Sequence, residues 1–226
     1  MREFLILKLQ GPMQAWGAHT FEGIRPSAYV PTRSGLLGLL GACLGIRRSE
    51  RDRQQQLAES VALAVRVDCR PIAGKRGAAR SLPMVKATDF HTVQDARVEY
   101  TGLASHETIL TWREYLYDAE FTVALWCRPG APVTLDRLET AVRQPLFTPY
   151  LGRRSCPLAR PLWQARLSAA DELAALRTVP PDGGTVYTEG MPSAHRQHVR
   201  DLPLVDRPRQ FASRDLFVHG GDHVPE

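Results

Sequence analysis

Several stretches of the chain arrange their apolar residues as β-strands do. Residues 4–9 form a short apolar run, which predicts a buried strand. Residues 61–69 place an apolar side chain at alternate positions, and residues 112–127 contain a continuous apolar centre. Residues 161–167 have a similar character. We therefore expect a strand in each of these places.

A glycine-rich apolar segment at residues 34–46 predicts a helix. Its apolar positions fill every turn, and Thr32 or Ser34 can accept the hydrogen bond that caps the first turn. Each glycine in a helix interior costs about 1 kcal/mol relative to alanine. The glycines of this segment lie three or four residues apart and so share one face: Gly35, Gly38, Gly41 and Gly45. Such a face is expected where a helix lies very close to a sheet or to another backbone.

Two further helices complete a recognisable order of elements. Residues 47–59 are polar and predict a short surface helix, whereas residues 134–143 have apolar positions at helical spacing after Thr134, which can cap them. The apolar residues of positions 70–111 follow neither the helix period nor the strand period. We interpret this segment as an insertion that leaves the core, such as a long hairpin. Strand, helix, strand, insert, strand, helix and strand match a ferredoxin-like split βαβ arrangement, so the expected fold class is α+β.

The expected division of the chain places the core first and an extension after it. The full length of 226 residues is at or just above one typical domain of ~100–200 residues. Residues 1–168 hold the ferredoxin-like elements, with the insertion at about 70–111. Residues 169–226 are expected to form a β-rich C-terminal extension packed on the same domain. It begins with a small helix near residues 170–177 and continues with two or three strands.

The basic residues are almost all arginines. Only Lys8, Lys75 and Lys86 are lysines among 29 basic residues, and the net charge is +5. A guanidinium binds phosphate in a bidentate manner and stacks on bases, so this excess favours a polyanionic partner, although a GC-rich coding bias would give the same excess. With 43% hydrophobic and 23% charged residues, the composition excludes a disordered or fibrous chain.

The cysteines and the N-terminus indicate a soluble cytoplasmic protein. The four cysteines lie far apart without a CxxC pair, which excludes a zinc ribbon and argues against a secreted disulfide framework. Residues 4–9 include a lysine and are not followed by a signal-peptide cleavage pattern. The longest apolar stretch, residues 35–46, is shorter than the ~20 residues that cross a bilayer, so no membrane partner is expected.

The sequence lacks the motifs of metal, cofactor or covalent catalysis. No carboxylate or thiol completes a metal-ligand set with its closely spaced histidine pairs, so we expect no metal and no cofactor. It also lacks a Gly-x-Ser-x-Gly elbow, a phosphate loop and a dinucleotide fingerprint. Metal-independent cleavage of RNA stays an open alternative, because it needs only a general base and a cation. The side chains suited to it are those of Tyr29, Lys86, His91 and His106.

Residues 140–170 carry the strongest sign of a binding site. The segment has no acidic residue and five arginines: Arg143, Arg153, Arg154, Arg160 and Arg166. At its centre, Tyr150 offers a ring for stacking, while Gly152 and Ser155 flank two of the arginines. Backbone N–H groups and guanidiniums in such a turn can bind phosphates. A turn with solvated arginines is the plainer interpretation.

A second basic site is expected at the start of the glycine-rich helix. Arg33 and Ser34 stand at its N-terminus, where unpaired backbone N–H groups attract anions. Two such sites in one small domain point to a polyanion. Single-stranded RNA suits a ferredoxin-like sheet, whose open face commonly reads unstacked bases.

Sequence blocks spread over nearly the whole chain resemble a known family. They are residues 9–17 (LQGPMQAWG), 21–23 (FEG), 31–46 (PTRSGLLGLLGACLGI), 105–109 (SHETI), 111–116 (TWREYL), 150–157 (YLGRRSCP) and 209–214 (RQFASR). Together they are similar to the CasD branch of the Cas five family. Members of this branch are subunits of Cascade, the CRISPR surveillance complex of subtype I-E.

The resemblance implies an RRM-like domain of the repeat-associated mysterious protein (RAMP) superfamily, with the long insert as a thumb. It implies a non-catalytic subunit that binds the 5′ handle of crRNA in antiviral defence. The expected protein partners are a backbone subunit (CasC-like) and a large subunit (CasA-like), and no small-molecule substrate is expected. Relatives in another subtype process RNA, so the alternative is a metal-independent endoribonuclease acting on CRISPR repeat RNA.

The resemblance also assigns RNA-binding roles to individual positions. Gln14, Trp16, Gly17, Arg33 and Ser34 would line a cradle at the mouth of the glycine-rich helix. A second group comprises the glycine-rich loop with its neighbouring ring and the residues where the thumb rejoins the core: Tyr150, Gly152, Arg153, Arg154, Ser155, Ser105, His106 and Thr108.

Overall fold

In the computed structural model, strands dominate the described part of the chain. This part comprises residues 1–18, 20, 23–73, 79–94, 108–181, 183–207 and 210–220. The strands are β1 (Arg2–Gln10), β2 (Met13–Gln14), β3 (Trp16–Gly17), β4 (Ile24–Arg25), β5 (Ser27–Ala28), β6 (Val61–Val67), β7 (Arg70–Ala73), β8 (Ala79–Leu82), β9 (Val85–Val93), β10 (Ile109–Tyr117), β11 (Glu120–Cys127), β12 (Trp163–Ala169), β13 (Thr185–Thr188), β14 (His195–Pro203) and β15 (Phe211–His219). The helices are α1 (Arg33–Cys43), α2 (Arg51–Ser60), α3 (Leu135–Arg143) and α4 (Glu172–Arg177). Within these ranges, no helix has both the length and the apolar character needed to cross a membrane.

The main sheet is antiparallel and has the order β12-β1-β11-β6-β13-β15-β14. Its first four strands are the four that the apolar runs predict. They lie in the order fourth, first, third, second along the chain, and α1 and α3 form the two crossovers. This arrangement agrees with the expected split βαβ topology and with the α+β class.

Helix α1 begins where the sequence predicts. The side chain of Thr32, and not that of Ser34, accepts the capping hydrogen bond from Gly35 N at 3.3 Å. Gly35 lies against Trp16, since a Cβ at this position would be 2.8 Å from the Trp16 ring. In contrast, Gly38 faces open space and Gly45 follows the helix. The glycines therefore do not form one closely packed helix face: within α1 only Gly35 has such a close contact, and Gly45, beyond the end of α1, packs against Leu146.

The second face of the ferredoxin-like sheet is covered. Helix α4 buries Ala175 and Leu176 against it, and the rings of Phe4 and Trp126 meet edge to face with centroids 5.5 Å apart. The guanidinium of Arg2 lies 5.2 Å from the Trp126 ring centroid. The expected reading of bases on an open sheet face is therefore wrong, because apolar packing already occupies that face.

The described part of the insert contains two antiparallel strand pairs. Strand β7 pairs with β8, and β9 pairs with β10 over a long register. Strand β10 continues beyond residue 111 to Tyr117, where it pairs with β2 and β4 instead of joining the main sheet. The chain then turns at Asp118, whose φ is +55°, and enters the main sheet as β11. The single strand expected at residues 112–127 is thus two strands in different sheets.

The C-terminal strands continue the main sheet. Strand β13 pairs directly with β6, and β15 and β14 follow it outward. Two buried ion pairs attach this part of the chain to α1 and to itself: Arg33 with Glu189 at 2.5 Å, and Arg214 with Asp201 at 2.5 Å. The described strands of the extension therefore share the main sheet with the ferredoxin-like strands.

Candidate nucleic-acid interface

Two of the sequence blocks predicted to bind RNA pack directly against each other. The backbone N–H of Ala15 donates to the carbonyl oxygen of Leu151 at 3.1 Å. Gly152 has a φ of +87°, and a Cβ at this position would overlap the carbonyl oxygen of Ala15. Glycine is needed here both for the left-handed backbone and for the close approach. We call residues 149–157 the arginine loop.

The base of the arginine loop is buried and its tip is exposed. Leu151 and Cys156 are fully buried, and Leu151 N donates to the carbonyl oxygen of Cys156 at 2.8 Å. Burial raises the pKa of the Cys156 thiol, which therefore serves as a packing group. Arg154 and Ser155 lie between these anchors and are exposed. The loop therefore presents a cation and a hydroxyl on a fixed backbone.

The two arginines of the loop have different surroundings. Arg153 donates to the carbonyl oxygens of Glu114 at 3.0 Å and Arg25 at 2.9 Å. Its guanidinium also lies 4.8 Å from the Tyr115 ring centroid. Arg154 makes no hydrogen bond or ion pair with any residue in the described ranges. Arg153 thus holds the loop against β10 and β4, while Arg154 is free to bind a phosphate.

The adjoining strands add polar groups that the sequence analysis did not single out for binding. Arg25 and Arg113 are register neighbours on β4 and β10, and Arg113 is opposite Asp89 of β9. His91 Nε2 lies 3.3 Å from the hydroxyl of Tyr115 and 3.1 Å from the Asp89 carboxylate. We call Arg25, Asp89, His91, Arg113 and Tyr115 the hairpin surface. The pairing of β4 with β10 brings Arg25 and Arg113 together. No pattern in the sequence indicates this, because residue 25 lies in a segment without a helix or strand period.

Gln14 and Trp16 are structural residues. Both are fully buried, and Gln14 Nε2 donates to the carbonyl oxygen of Ala119 at 2.7 Å while its Oε1 accepts from Trp16 Nε1 at 3.1 Å. The backbone N–H of Trp16 donates to the hydroxyl of Ser27 at 2.9 Å. This corrects the prediction that these two side chains contact RNA. Gly17, which follows them, is exposed.

The N-terminus of α1 is occupied by a carboxylate of the protein itself. Asp201 accepts a hydrogen bond from Arg33 N at 2.7 Å. The Arg33 side chain is only 4% exposed, and it pairs with Glu189 and donates to the carbonyl oxygen of Val61. Ser34 is half-buried beside Thr32. This corrects the second expected anion site, because its charge and its N–H group are already paired.

The acid-free segment at residues 140–170 is not acid-free in three dimensions. Arg166 binds Glu3 at 2.7 Å and also Asp136 and Glu139, and these partners raise its pKa. Arg143 pairs with Glu139 at 3.0 Å and stacks 3.5 Å from the Trp163 ring centroid. Arg160, also in this segment, donates a hydrogen bond to the side chain of Gln164. Only Arg153 and Arg154 belong to the arginine loop.

Tyr150 and Thr108 are the remaining predicted positions that the structure describes. Tyr150 is half-buried at the start of the arginine loop, and Thr108 is exposed just before β10. The predictions for Ser105 and His106 lie outside the described residues. Thr108 is on the hairpin and is not part of the arginine loop.

Among the described residues, the side chains suited to RNA cleavage do not form one catalytic group. Lys86 and His91 project to opposite faces of β9, because they are an odd number of residues apart. Lys86 binds the Glu114 carboxylate at 3.1 Å and lies 3.8 Å from the Tyr29 ring centroid. Burial alone would raise the pKa of Glu114, but hydrogen bonds from Ser27 N and Lys86 lower it. His106 lies outside the described residues.

Metal ligands are not clustered in the described part of the chain. No three His, Cys, Asp or Glu side chains there are placed to hold one metal ion. The four cysteines are free thiols. Burial raises the pKa of Cys43 to about 12, so this thiol is neutral at physiological pH.

The fold and the interface together define an α+β protein with a ferredoxin-like sheet and a rigid arginine-bearing loop. The family model described as CRISPR-associated protein (Cas_Cas5) matches residues 4–216. The CRISPR system Cascade subunit CasD of Escherichia coli (strain K12) is 52% identical over 223 residues, which cover 98% of this chain and 97% of that protein. The chain belongs to the Cas5 family of CRISPR-associated proteins, which confirms the resemblance seen in the sequence blocks.

Solved structures agree with this assignment. One chain of a structure described as a CRISPR RNA-guided surveillance complex has a TM-score of 0.68 and 27% identity, covering 96% of this chain and 89% of its own. A second structure, described as a crystal structure of a Cas protein, has a TM-score of 0.63 and 28% identity, covering 96% of this chain and 93% of its own.

Proposed function

We propose that this protein is the CasD-type subunit of a Cascade-like surveillance complex and binds the 5′ handle of crRNA without cutting it. The observation that carries the proposal is the arginine loop, which holds an unpaired, exposed Arg154 on a buried frame. Support also comes from the 52% identity to a Cascade subunit. The protein acts in the cytoplasm, and binding needs no cofactor and no small-molecule substrate.

The arginine loop would bind the sugar–phosphate backbone. Arg154 offers several N–H donors to a phosphate, and the hydroxyl of Ser155 is beside it. Because Arg153 and Gly152 fix the loop on its neighbours, little conformational entropy is lost when RNA binds. The hairpin surface adds Arg25 and Arg113 next to the loop.

The other side of the same hairpin would contact the backbone subunit. Phe90 and Trp112 are about half exposed with ring centroids 5.5 Å apart, and Ile24 and Leu110 are exposed beside them. Exposed apolar patches on a soluble protein commonly mark interaction sites. Because the resemblance implies that the thumb meets a backbone subunit, we assign this patch to the CasC-like backbone subunit. Contact with a CasA-like large subunit is carried over from the resemblance.

RNA binding is tested with purified protein and labelled handle RNA, compared with a scrambled RNA of equal composition. We expect the handle RNA to bind more tightly. Arg154→Ala should weaken binding of the handle RNA about tenfold, since one phosphate contact is lost. The number of counterions released on binding, read from the slope of log affinity against log salt concentration, should fall by about one. The control is Arg177→Ala, an exposed arginine on α4 at the opposite face of the sheet, which should leave the affinity unchanged.

Equal affinity for both RNAs would remove the proposed handle recognition. The same samples test catalysis, because the labelled RNA should stay intact during incubation in EDTA. Discrete cleavage that is lost on His91→Ala would instead establish the endoribonuclease alternative.

The subunit contact is tested by co-purification with the backbone subunit. Phe90→Ala combined with Trp112→Ala should reduce recovery of that subunit. The control is Leu204→Ala, which removes an exposed apolar side chain distant from the hairpin in the sequence. This variant should not reduce recovery of the backbone subunit. Unchanged recovery with the double variant would exclude this patch as the contact.

A further inference from the structure

The short strand β5 lies between the β9–β10 pair and the segment that supports the arginine loop. In the described part of the chain, β5 pairs only with β3 and is outside the sheet that contains β10. The side chain of Glu114 in β10 reaches across to β5. Its carboxylate accepts a hydrogen bond from the backbone N–H of Ser27 at 2.9 Å. A side chain therefore joins β5 to β10.

The same carboxylate oxygen also binds a lysine of β9. Lys86 Nζ is 3.1 Å from Glu114 Oε2, the atom to which Ser27 N donates, and it donates to the carbonyl oxygen of Ser27 at 2.8 Å. Although burial favours the neutral acid, the hydrogen bonds from Ser27 N and Lys86 lower the pKa of Glu114, so its carboxylate is charged at neutral pH. Both backbone polar groups of Ser27 are thus held by side chains of β9 and β10. We call Ser27, Lys86 and Glu114 the β5 clamp.

One route from the β5 clamp to the arginine loop runs through Arg153. Its guanidinium donates to the carbonyl oxygen of Arg25, two residues before Ser27, at 2.9 Å. It also donates to the carbonyl oxygen of Glu114 itself at 3.0 Å. The two acceptors of Arg153 therefore lie on the two strands that the Glu114 carboxylate and β10 hold together.

A second route runs through the buried segment before β5. The hydroxyl of Ser27 accepts from the backbone N–H of Trp16 at 2.9 Å. The preceding residue, Ala15, donates through its N–H to the carbonyl oxygen of Leu151 at 3.1 Å, and Gly152 packs closely on its carbonyl oxygen. The position of Ser27 is therefore transmitted to the base of the arginine loop by backbone contacts.

Local charge alone gives the opposite expectation for Glu114. A carboxylate beside a phosphate-binding loop repels RNA, so removing it should strengthen binding. In the β5 clamp, however, the contacts with Ser27 N and Lys86 use the acceptor oxygen of Glu114. The sign of the effect on RNA affinity therefore separates the two roles of this side chain.

We propose that Glu114 is a positioning residue for RNA binding, which holds Ser27 against β9 and β10 and so fixes the arginine loop where Arg154 meets its phosphate. This inference rests on the proposed function and identifies what sets the geometry of the binding loop. It also gives a supporting role to Lys86 and to Tyr29, whose ring centroid is 3.8 Å from Lys86 Nζ.

The test compares two variants of the full chain that lose the same charge. Glu114→Gln keeps an oxygen that can accept from Ser27 N and Lys86, whereas Glu114→Met has a side chain of similar length without this acceptor. We expect Glu114→Gln to bind labelled handle RNA at least as tightly as the wild type. Glu114→Met should bind about tenfold more weakly, which is the loss expected when Arg154 no longer meets its phosphate.

A second measurement separates positioning from a general loss of structure. Arg154→Ala is introduced into the wild type and into both Glu114 variants. It should lower the affinity about tenfold in the wild type and in Glu114→Gln, but less than about twofold in Glu114→Met, where Arg154 has no phosphate contact left to lose. A variant that is only less stable would bind through its folded fraction and keep the full effect. Lys86→Met removes the other half of the β5 clamp, and should show the same reduced response to Arg154→Ala if Glu114→Met does not fold.

Unchanged or tighter binding by Glu114→Met would overturn the positioning role in favour of local charge. Equal losses in Glu114→Gln and Glu114→Met would also overturn it, as would a full effect of Arg154→Ala in the Glu114→Met or Lys86→Met background. In each of these cases the proposed function stands, because the wild-type protein still prefers handle RNA. A wild-type protein that binds handle and scrambled RNA equally would instead remove the proposed function.

Discussion

Arg153 and Arg154 are neighbours in the chain and differ only in what surrounds them. Arg153 donates hydrogen bonds to two carbonyl oxygens, and the face of its guanidinium lies on the Tyr115 ring. Arg154 is exposed and unpaired within the described residues. One side chain therefore fixes the shape of the arginine loop, and the other extends from it without a partner in the described residues. At the scale of the residue, chemical type sets what a group can do, and its contacts decide whether it is free to do it.

Gly152 is the residue on which the shape of the arginine loop depends. Gly152→Ala should lower the free energy of unfolding by about 1 kcal/mol for its positive φ. A further loss of about 1–3 kcal/mol is expected because the new Cβ would overlap the carbonyl oxygen of Ala15. The measurement is urea unfolding. Gly130→Ala is the matched control, since Gly130 has a φ of +69° with nothing near its Cβ position. Equal losses in both variants would show that the close approach contributes nothing.

Arg33 is a residue whose effect should be on stability rather than on RNA. Arg33→Met removes an ion pair with Glu189 and leaves the carbonyl oxygens of Ala58 and Val61 without their donor, while Glu189 keeps its contact with Arg214. It should therefore cost about 1–3 kcal/mol of unfolding free energy. Arg154→Met, which replaces an exposed arginine, should change the same quantity by less than about 0.5 kcal/mol. Denaturant titration of both variants checks this. A small loss for Arg33→Met would mean that its pairing with Glu189 does not stabilise the fold.

At the scale of the element, secondary structure distributes residues that are close in sequence. Residues 140–170 run through the end of α3, the arginine loop and β12, which bring their arginines beside different partners. Two of these arginines meet Glu139 of α3 and one meets Glu3 of β1. A run without acidic residues therefore need not form a basic patch.

The arginines outside the loop should not contribute to RNA binding. Combined Arg143→Ala, Arg160→Ala and Arg166→Ala should leave handle RNA affinity within about twofold, since these side chains already pair within the protein. Filter binding at two salt concentrations checks this against Arg154→Ala. A loss of RNA affinity comparable with that of Arg154→Ala would show that these three arginines also contribute to binding.

Elements with a clear period were predictable from the sequence, and irregular ones were not. The strands of the ferredoxin-like core, the capped helices α1 and α3, and the arginine loop all lie near their expected positions. Strand β10 was misplaced because its edge pairings with β2 and β4 leave no distinct pattern in the sequence. The short strands between residues 13 and 28 were also missed, since each spans only two residues.

At the scale of the whole molecule, the core and the C-terminal extension are one unit. Strand β13 covers the edge of β6, α4 covers one face of the sheet, and Asp201 caps α1. Each of these contacts joins residues that are far apart in the chain. The division at residues 168 and 169 therefore does not mark separable parts.

Truncation after Ala169 should abolish cooperative folding. It would expose Phe4, Ile6 and Trp126, and it would leave Arg33 without its partner Glu189. Circular dichroism during thermal unfolding, together with solubility, compares the fragment with the full chain. A soluble fragment with a cooperative transition close to that of the full chain would contradict the single-unit interpretation.

The sequence by itself determined the family, the main strands and helices, and the turn that carries Arg154. These follow from local information: apolar periods, capping residues, and glycine beside arginine. Only the tertiary structure decided that Trp16 and Arg33 are buried, that α4 covers the sheet, and that Glu114 meets Ser27. The physical reason is that exposure and pairing depend on contacts between distant parts of the chain, and no single segment encodes those contacts.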